Sequence, residues 1–225
     1  MNTWDHDARA EEALELLDHH HDAFYSAAEI AIRTGHPVPS DTRGWSQILV
    51  SILSGIMGRQ RQKGSDLVDG SDVKAANTWE AIDTPRFNGV LKAGTKAEAA
   101  GSLVSLESMP HLFFVLWDKQ RTTGAARCRV WVVRPRVDPR FRGMADAWYQ
   151  KLEAGEIKSN NFQLHPPRGL DSDVFRNTCG NLVYPKLFQA DRHGSPGRYA
   201  LVHYDPQVLV SGACQYATDE AEDIA

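Results

Sequence analysis

Cysteine is scarce in this chain: 225 residues hold three. Cys128, Cys179 and Cys214 lie far apart and form no CxxC pair, which argues against a structural zinc site and for reduced thiols in a reducing compartment. Long apolar runs are missing too, and none approaches the roughly 20 residues that cross a bilayer. The N-terminus, with Asp5, Asp7, Glu11, Glu12 and Glu15, has neither the basic opening nor the apolar core of a secretory signal. A cytoplasmic protein with no membrane partner is therefore expected. There is no internal repeat and no low-complexity linker. No GxSxG elbow, Walker loop or dinucleotide glycine pattern occurs, and no Cys/His pair invites thiol-protease chemistry.

What is present is an ordinary globular composition, 42% apolar and 24% charged, in a chain long enough to bury a sizeable core. The net charge of -4 speaks weakly against a nucleic-acid ligand, but the average hides a polarity. Residues 1–30 carry eight acids against one base, Arg9, whereas residues 119–142 carry eight bases against one acid, Asp138. A duplex is held by local basic surface, so the second fact outweighs the total.

Apolar residues recur at helical spacing over residues 8–34 (Ala13, Leu14, Leu17, Phe24, Ala27, Ile30), until Gly35-His36-Pro37 stops them. Ser40 or Asp41 would cap a second helix through Trp45, Ile48, Leu49, Ile52 and Leu53, broken at Gly55. His111–Trp117 reads as a fully buried central strand and Arg127–Arg134 as its partner. Residues 139–153 read as a helix, Asn160–Arg168 as irregular, 171–178 as a short helix and Tyr199–Tyr204 as a late strand. Trp45, Trp79, Trp117, Trp131 and Trp148 fall in apolar text and are expected in the core. His19-His20-His21 reads as an exposed helix end, since consecutive helical residues diverge around the axis. The fold class expected is α/β (α+β): a central mixed β-sheet flanked by helices, preceded by a helical region. The expected division is an N-terminal helical region over 1–38 (a dimerisation or accessory element), a catalytic domain over 39–215 and an acidic tail over 216–225.

The segment Ser65-Asp66-Leu67-Val68-Asp69-Gly70-Ser71-Asp72-Val73-Lys74 concentrates the chemistry. Asp69-Gly70 is a two-residue hairpin signal. It would set Asp66 at the end of one strand or at the turn, and Asp72-Val73-Lys74 on the next. Side chains alternate along a strand, so Asp72 and Lys74 share one face and Val73 points to the core. Phosphodiester hydrolysis needs a hard cation, Mg²⁺ above all, held by few carboxylates with open positions. Asp66 and Asp72 would supply the carboxylates and the carbonyl of Val73 a third oxygen, with Lys74 orienting or deprotonating water. Asp69 is expected to serve only the turn. The basic run before it, with Arg59, Arg61 and Lys63, suits a phosphate backbone, as does Asn77 after it. Gln163, His165 and Arg168 form a second polar group suited to bases or phosphates, and the bases of 127–142 would hold the backbone. Arg176-Asn177-Thr178 is read as either groove contact or helix cap.

Asp66 followed by Asp72-Val73-Lys74 resembles the PD-(D/E)XK signature of type II restriction endonucleases, with Ser65 where proline is usual and a short spacing between the acids. Pro39–Val50, Ala76-Asn77-Thr78-Trp79 and Phe162–Pro167 resemble the MamI-like family, over about residues 38–190. The resemblance implies a restriction-endonuclease-like core and a Mg²⁺-dependent homodimer. It also implies double-stranded DNA cut on both strands of a palindromic, interrupted site, and a methyltransferase acting on that site. It implies a further acid on the preceding helix as well: Asp41 or Glu29, with Gln47 as another residue able to face the site. Two alternatives are a repair or methylation-dependent endonuclease of the same superfamily and a non-catalytic DNA-binding protein.

Overall fold

The computed structural model describes residues 6–34, 42–59, 64–78, 85–92, 103–120, 123–194 and 197–217, with the side chains of 27–34 and of Lys92 not among those described. Ser40, Asp41, Arg61, Lys63 and Trp79 lie outside these residues.

The fold is built around β3 (Leu112–Lys119). Phe113, Val115 and Trp117 enter a first apolar core while Leu112, Phe114 and Leu116 enter a second. A strand covered on both faces reads as a continuous apolar run rather than an alternation, which is what the sequence shows. Its partners are β4 (Ala126–Val133), antiparallel, and β1 (Asp72–Asn77), parallel. With β8 (Lys186–Arg192) and β9 (Ala200–Tyr204) they form a five-stranded mixed sheet in the order β1-β3-β4-β8-β9.

The first face is covered by α1 (His6–Thr34) and α2 (Arg43–Ser54), through Ala13, Leu17, Phe24, Leu49, Val50 and Leu53. Gly55 ends α2 in the left-handed conformation, φ 71°, donating its N–H to the Ser51 carbonyl. The second face is covered by the one-turn α3 (Val104–Glu107) through Leu106, by α4 (Pro139–Glu153) and by two small antiparallel ribbons. One is β2 (Phe87–Lys92) with β5 (Asn161–Leu164); the other joins β6 (Val174–Asn177) and β7 (Gly180–Val183) to the short strand Gln215–Tyr216. The expected architecture, a mixed sheet between helices, is thus present. Asp138 caps α4, its Oδ1 accepting from Arg140 N and Phe141 N, and Pro139 stands at the first helical position. Trp117, Trp131 and Trp148 are buried as expected, and Trp45 is partly buried.

Four local expectations are corrected. Asp69-Gly70 does form a turn, with the Asp69 carboxylate accepting from Ser71 N and Oγ. No hairpin results, because Leu67 bridges back to Gly58 while β1 pairs with β3. Residues 171–178 contain the strand β6, not a helix, and Asn161–Leu164 is a strand rather than irregular; in both, long-range pairing overrides weak local preference. His19–His21 lies mid-helix, and only His19 is exposed. His20 packs 4.2 Å from the Trp117 ring, and His21 shares a hydrogen bond of 3.2 Å with the Gly124 carbonyl.

Candidate active site

β1 is an edge strand, and its free edge forms the floor of a cleft of about 550 Å³. Val73 is buried in the first core, which turns Asp72 and Lys74 outward together; Lys74 Nζ lies 2.6 Å from Asp72 Oδ2. Asp66 reaches this edge from the preceding loop. That loop is fixed by the Gly58–Leu67 bridge, by Arg59 N donating to the Asp66 carbonyl, and by Val68 N donating to Met57. The Asp66 carboxylate then accepts from Val73 N at 3.0 Å and from Gln47 Nε2 at 2.7 Å. Gln47 projects from α2, so helix, loop and strand meet on one carboxylate.

Burial, then the neighbouring Asp72 carboxyl, pushes the Asp66 carboxyl up to about 6, against the pull of Val73 N–H and Lys74. Two carboxylates held together in a half-buried place oppose each other's charge, and a hard divalent cation relieves that opposition. Among the described residues no group of three or more His, Cys, Asp or Glu side chains able to hold a metal ion occurs, so Asp66 and Asp72 are the two carboxylates this edge could offer a cation. Of the further acids, Asp41 lies outside the described residues, and Glu29 lies on α1 with its side chain undescribed.

The cleft walls are polar. Thr42 and Arg43 at the start of α2 line the cleft with Gly64, as do Arg86, just before β2, and Asn88, Gly89 and Asn161 of the β2–β5 ribbon, with Ala75 and Asn77 on the floor. Asp66, Asp72, Val73, Lys74 and Asn77 are thus brought together. Arg59 is exposed and lines an adjoining hollow, its Nη2 donating to the Val68 carbonyl. Gln163 stands on the same face of β5 as Asn161, outside the cleft lining. His165 exchanges backbone hydrogen bonds with Arg176, which makes the Pro166-Pro167 crossing structural. Its ring is kept below the usual histidine range by burial, then by Arg176, Arg86 and Arg168. Arg168 is exposed. Arg176 and Asn177 lie on β6 and brace the same crossing: Arg176 Nη2 donates to the Pro166 carbonyl and Asn177 Nδ2 to that of Gln163.

The arginine-rich region is corrected. Arg129 is 2% exposed, with Nη2 donating to Asp118 at 3.0 Å and Nη1 to the carbonyls of Gly169, Leu170 and Ser172. Arg127 pairs in a fork with Asp191, Arg142 pairs with Glu107, Arg140 donates to the Cys214 carbonyl and Arg134 to the carbonyls of Gly212 and Val210. Arg127, Arg129, Arg134 and Arg140 thus tie neighbouring strands and loops together, whereas Arg142 pairs at the surface with the exposed Glu107 and Arg136 is exposed. Arg43, Arg86, Asn88 and Asn161 are the cleft residues that sequence reasoning missed. They stand singly in unremarkable text, and only the tertiary fold gathers them.

A family model described as MamI restriction endonuclease matches residues 29–199. The type II restriction enzyme MamI of Microbacterium ammoniaphilum is 31% identical over 188 residues, covering 79% of this chain and 59% of that enzyme. The chain therefore spans less than two thirds of that relative's length. No solved structure matches. With most of its length, Asp66, Asp72 and Lys74 included, inside the matched region, the chain belongs to the MamI restriction endonuclease family.

Proposed function

We propose that this protein is a type II restriction endonuclease, hydrolysing phosphodiester bonds on both strands of a specific, palindromic and interrupted DNA site as a Mg²⁺-dependent homodimer. The observation that carries the reading is the convergence of Asp66, Asp72 and Lys74 on the free edge of β1, in a polar cleft flanked by Arg43 and Arg86. Family membership and the relative's printed activity support it.

In this reading Asp66, Asp72 and the Val73 carbonyl would hold Mg²⁺, which would supply Lewis-acid chemistry to the phosphodiester. Lys74, two residues along the strand from Asp72, would orient the attacking water and offset charge that builds on the phosphoryl oxygens. Gln47 holds Asp66 in orientation through its 2.7 Å hydrogen bond. Arg43 and Arg86 flank the path of the sugar–phosphate backbone, where guanidinium forks suit phosphate. A methyltransferase acting on the same site would protect host DNA.

Plasmid digestion in Mg²⁺, followed by sequencing of the fragment ends, tests this. The expected result is discrete ends from unmodified DNA, abolished in Asp72→Ala and Lys74→Ala chains that melt at an unchanged temperature. Mg²⁺-dependent cutting that survives Asp72→Ala removes the assignment. Cutting confined to methylated plasmid would move the protein to a methylation-dependent role.

A further inference from the structure

The cleft that holds Asp72 and Lys74 is also lined by the β2–β5 ribbon, which among the described residues shares no strand pairing with the five-stranded sheet. Phe87, Val90, Leu91, Phe162 and Leu164 are buried in the second core. The other face of the ribbon carries Asn88, exposed, and Asn161, half-buried. The strand register is broken: between the pairs Phe87↔Leu164 and Leu91↔Phe162, β2 places Asn88, Gly89 and Val90 opposite Gln163 alone.

This is a bulge, and Gly89 takes the left-handed conformation, φ 68°, that such an insertion needs. Asn161 locks it from the facing strand. Its Oδ1 accepts the Gly89 N–H at 2.9 Å, and its Nδ2 donates to Asn88 Oδ1 at a long 3.4 Å. No other hydrogen bond engages the Asn88 carboxamide among the described residues. Bulges re-aim side chains beside active sites, and this one aims an amide into the cleft that holds the acid pair.

A two-stranded antiparallel ribbon fits the major groove of B-DNA, where each base pair presents a distinct pattern of donors and acceptors. A carboxamide offers one acceptor and two donors in a plane, which matches N6 and N7 of adenine. Arg86 precedes the ribbon in the same cleft lining, so a phosphate contact and a base contact can come from one rigid unit. We propose that the β2–β5 ribbon enters the major groove and that Asn88, on the bulge locked by Asn161, reads a base edge, with adenine its preferred partner. The assignment rests on the nuclease reading of the cleft.

Two measurements on the full chain separate the two claims. Selection from a randomised duplex library with Ca²⁺ in place of Mg²⁺ reads base preference by binding alone; sequencing of fragment ends in Mg²⁺ reads cutting. The wild type is expected to enrich a motif. Asn88→Ala is expected to keep the melting temperature and lose discrimination at one base-pair position and its symmetry mate, by roughly 5- to 140-fold, with the other positions retained. Asn161→Ala, which frees the bulge, is expected to weaken the same position and no other. Failure of the wild type to enrich any motif overturns the ribbon assignment. So does an Asn88→Ala profile that is unchanged or weakened evenly at every position. A wild type that enriches a motif but never cuts overturns the nuclease reading alone, and Asn88→Ala then decides the ribbon by binding.

Discussion

Arg129→Met asks whether the arginine-rich strand holds DNA or holds the protein together. The guanidinium is 2% exposed and makes four hydrogen bonds, one to Asp118 and three to carbonyls of the 169–172 loop, while stacking 5.1 Å over the Trp131 ring. Methionine replaces the packing of the stem and none of the donors. The Asp118 carboxyl is already lifted by burial despite Arg129, so losing the partner leaves a costly group behind. Breaking a buried pair from one side costs about 3–5 kcal/mol. Asp118 retains some exposure and the pull of Arg127, which places the expected loss near the lower end, about 3 kcal/mol. With a urea slope of about 3 kcal/mol per molar, the unfolding midpoint should fall by about 1 M. Adding Asp118→Asn should restore part of it, because the stranded charge is gone. Duplex affinity measured on the folded fraction should be unchanged, whereas Arg86→Ala should weaken binding by the folded chain. If Arg129→Met unfolds with the wild type and loses DNA, the run faces nucleic acid and the internal assignment is wrong.

Asp66→Asn should abolish the Mg²⁺-induced rise in melting temperature while leaving the metal-free temperature unchanged or higher, since one of two opposed carboxylates is removed; a preserved Mg²⁺ shift would place the ion elsewhere. Lys119, buried beneath α1 with Nζ 3.9 Å over the Phe24 ring, has its amine pushed down to about 7 by burial. The unfolded chain thus binds this proton more readily between about pH 7 and 10.5, so the destabilisation is full below 7 and fades as pH rises. Lys119→Met should raise the urea midpoint at pH 7 and flatten its climb towards pH 10, and an equal climb in both chains would contradict this. Asp138→Ala removes the cap of α4 and an acceptor for Cys214 N at 2.6 Å, a loss of about 2–4 kcal/mol by urea unfolding. A loss below about 0.5 kcal/mol would mean that water replaces the cap.

The pair Asp72 and Lys74 was legible because strand alternation is a local rule that needs no knowledge of the partner strand. The buried β3 and the α4 helix with its Asp138-Pro139 start were legible for the same reason. The neighbour of β1 was not: Asp69-Gly70 signals a tight turn, but nothing local reveals that Leu67 closes on Gly58 and that Asp72 aligns with Leu112. Charge was misread in the opposite sense. A sequence shows that residues 127–142 are basic and not that Asp118, Asp191 and Glu107 come to meet them. Asn88 gave no signal, since its bulge exists only against Asn161, 73 positions away.

The edge position of β1 has a consequence for solubility. An open sheet edge is a template for another strand, and proteins protect such edges with charge or with groups that occupy the backbone donors. Here Asp66 takes the Val73 N–H, and Asp72 and Lys74 set opposite charges along the strand. The acid pair therefore also acts as a gatekeeper against self-association. Replacing Asp66 with leucine, which accepts no hydrogen bond, would strip the guard over the Val73 N–H, and that chain should aggregate at concentrations where the native one stays dispersed.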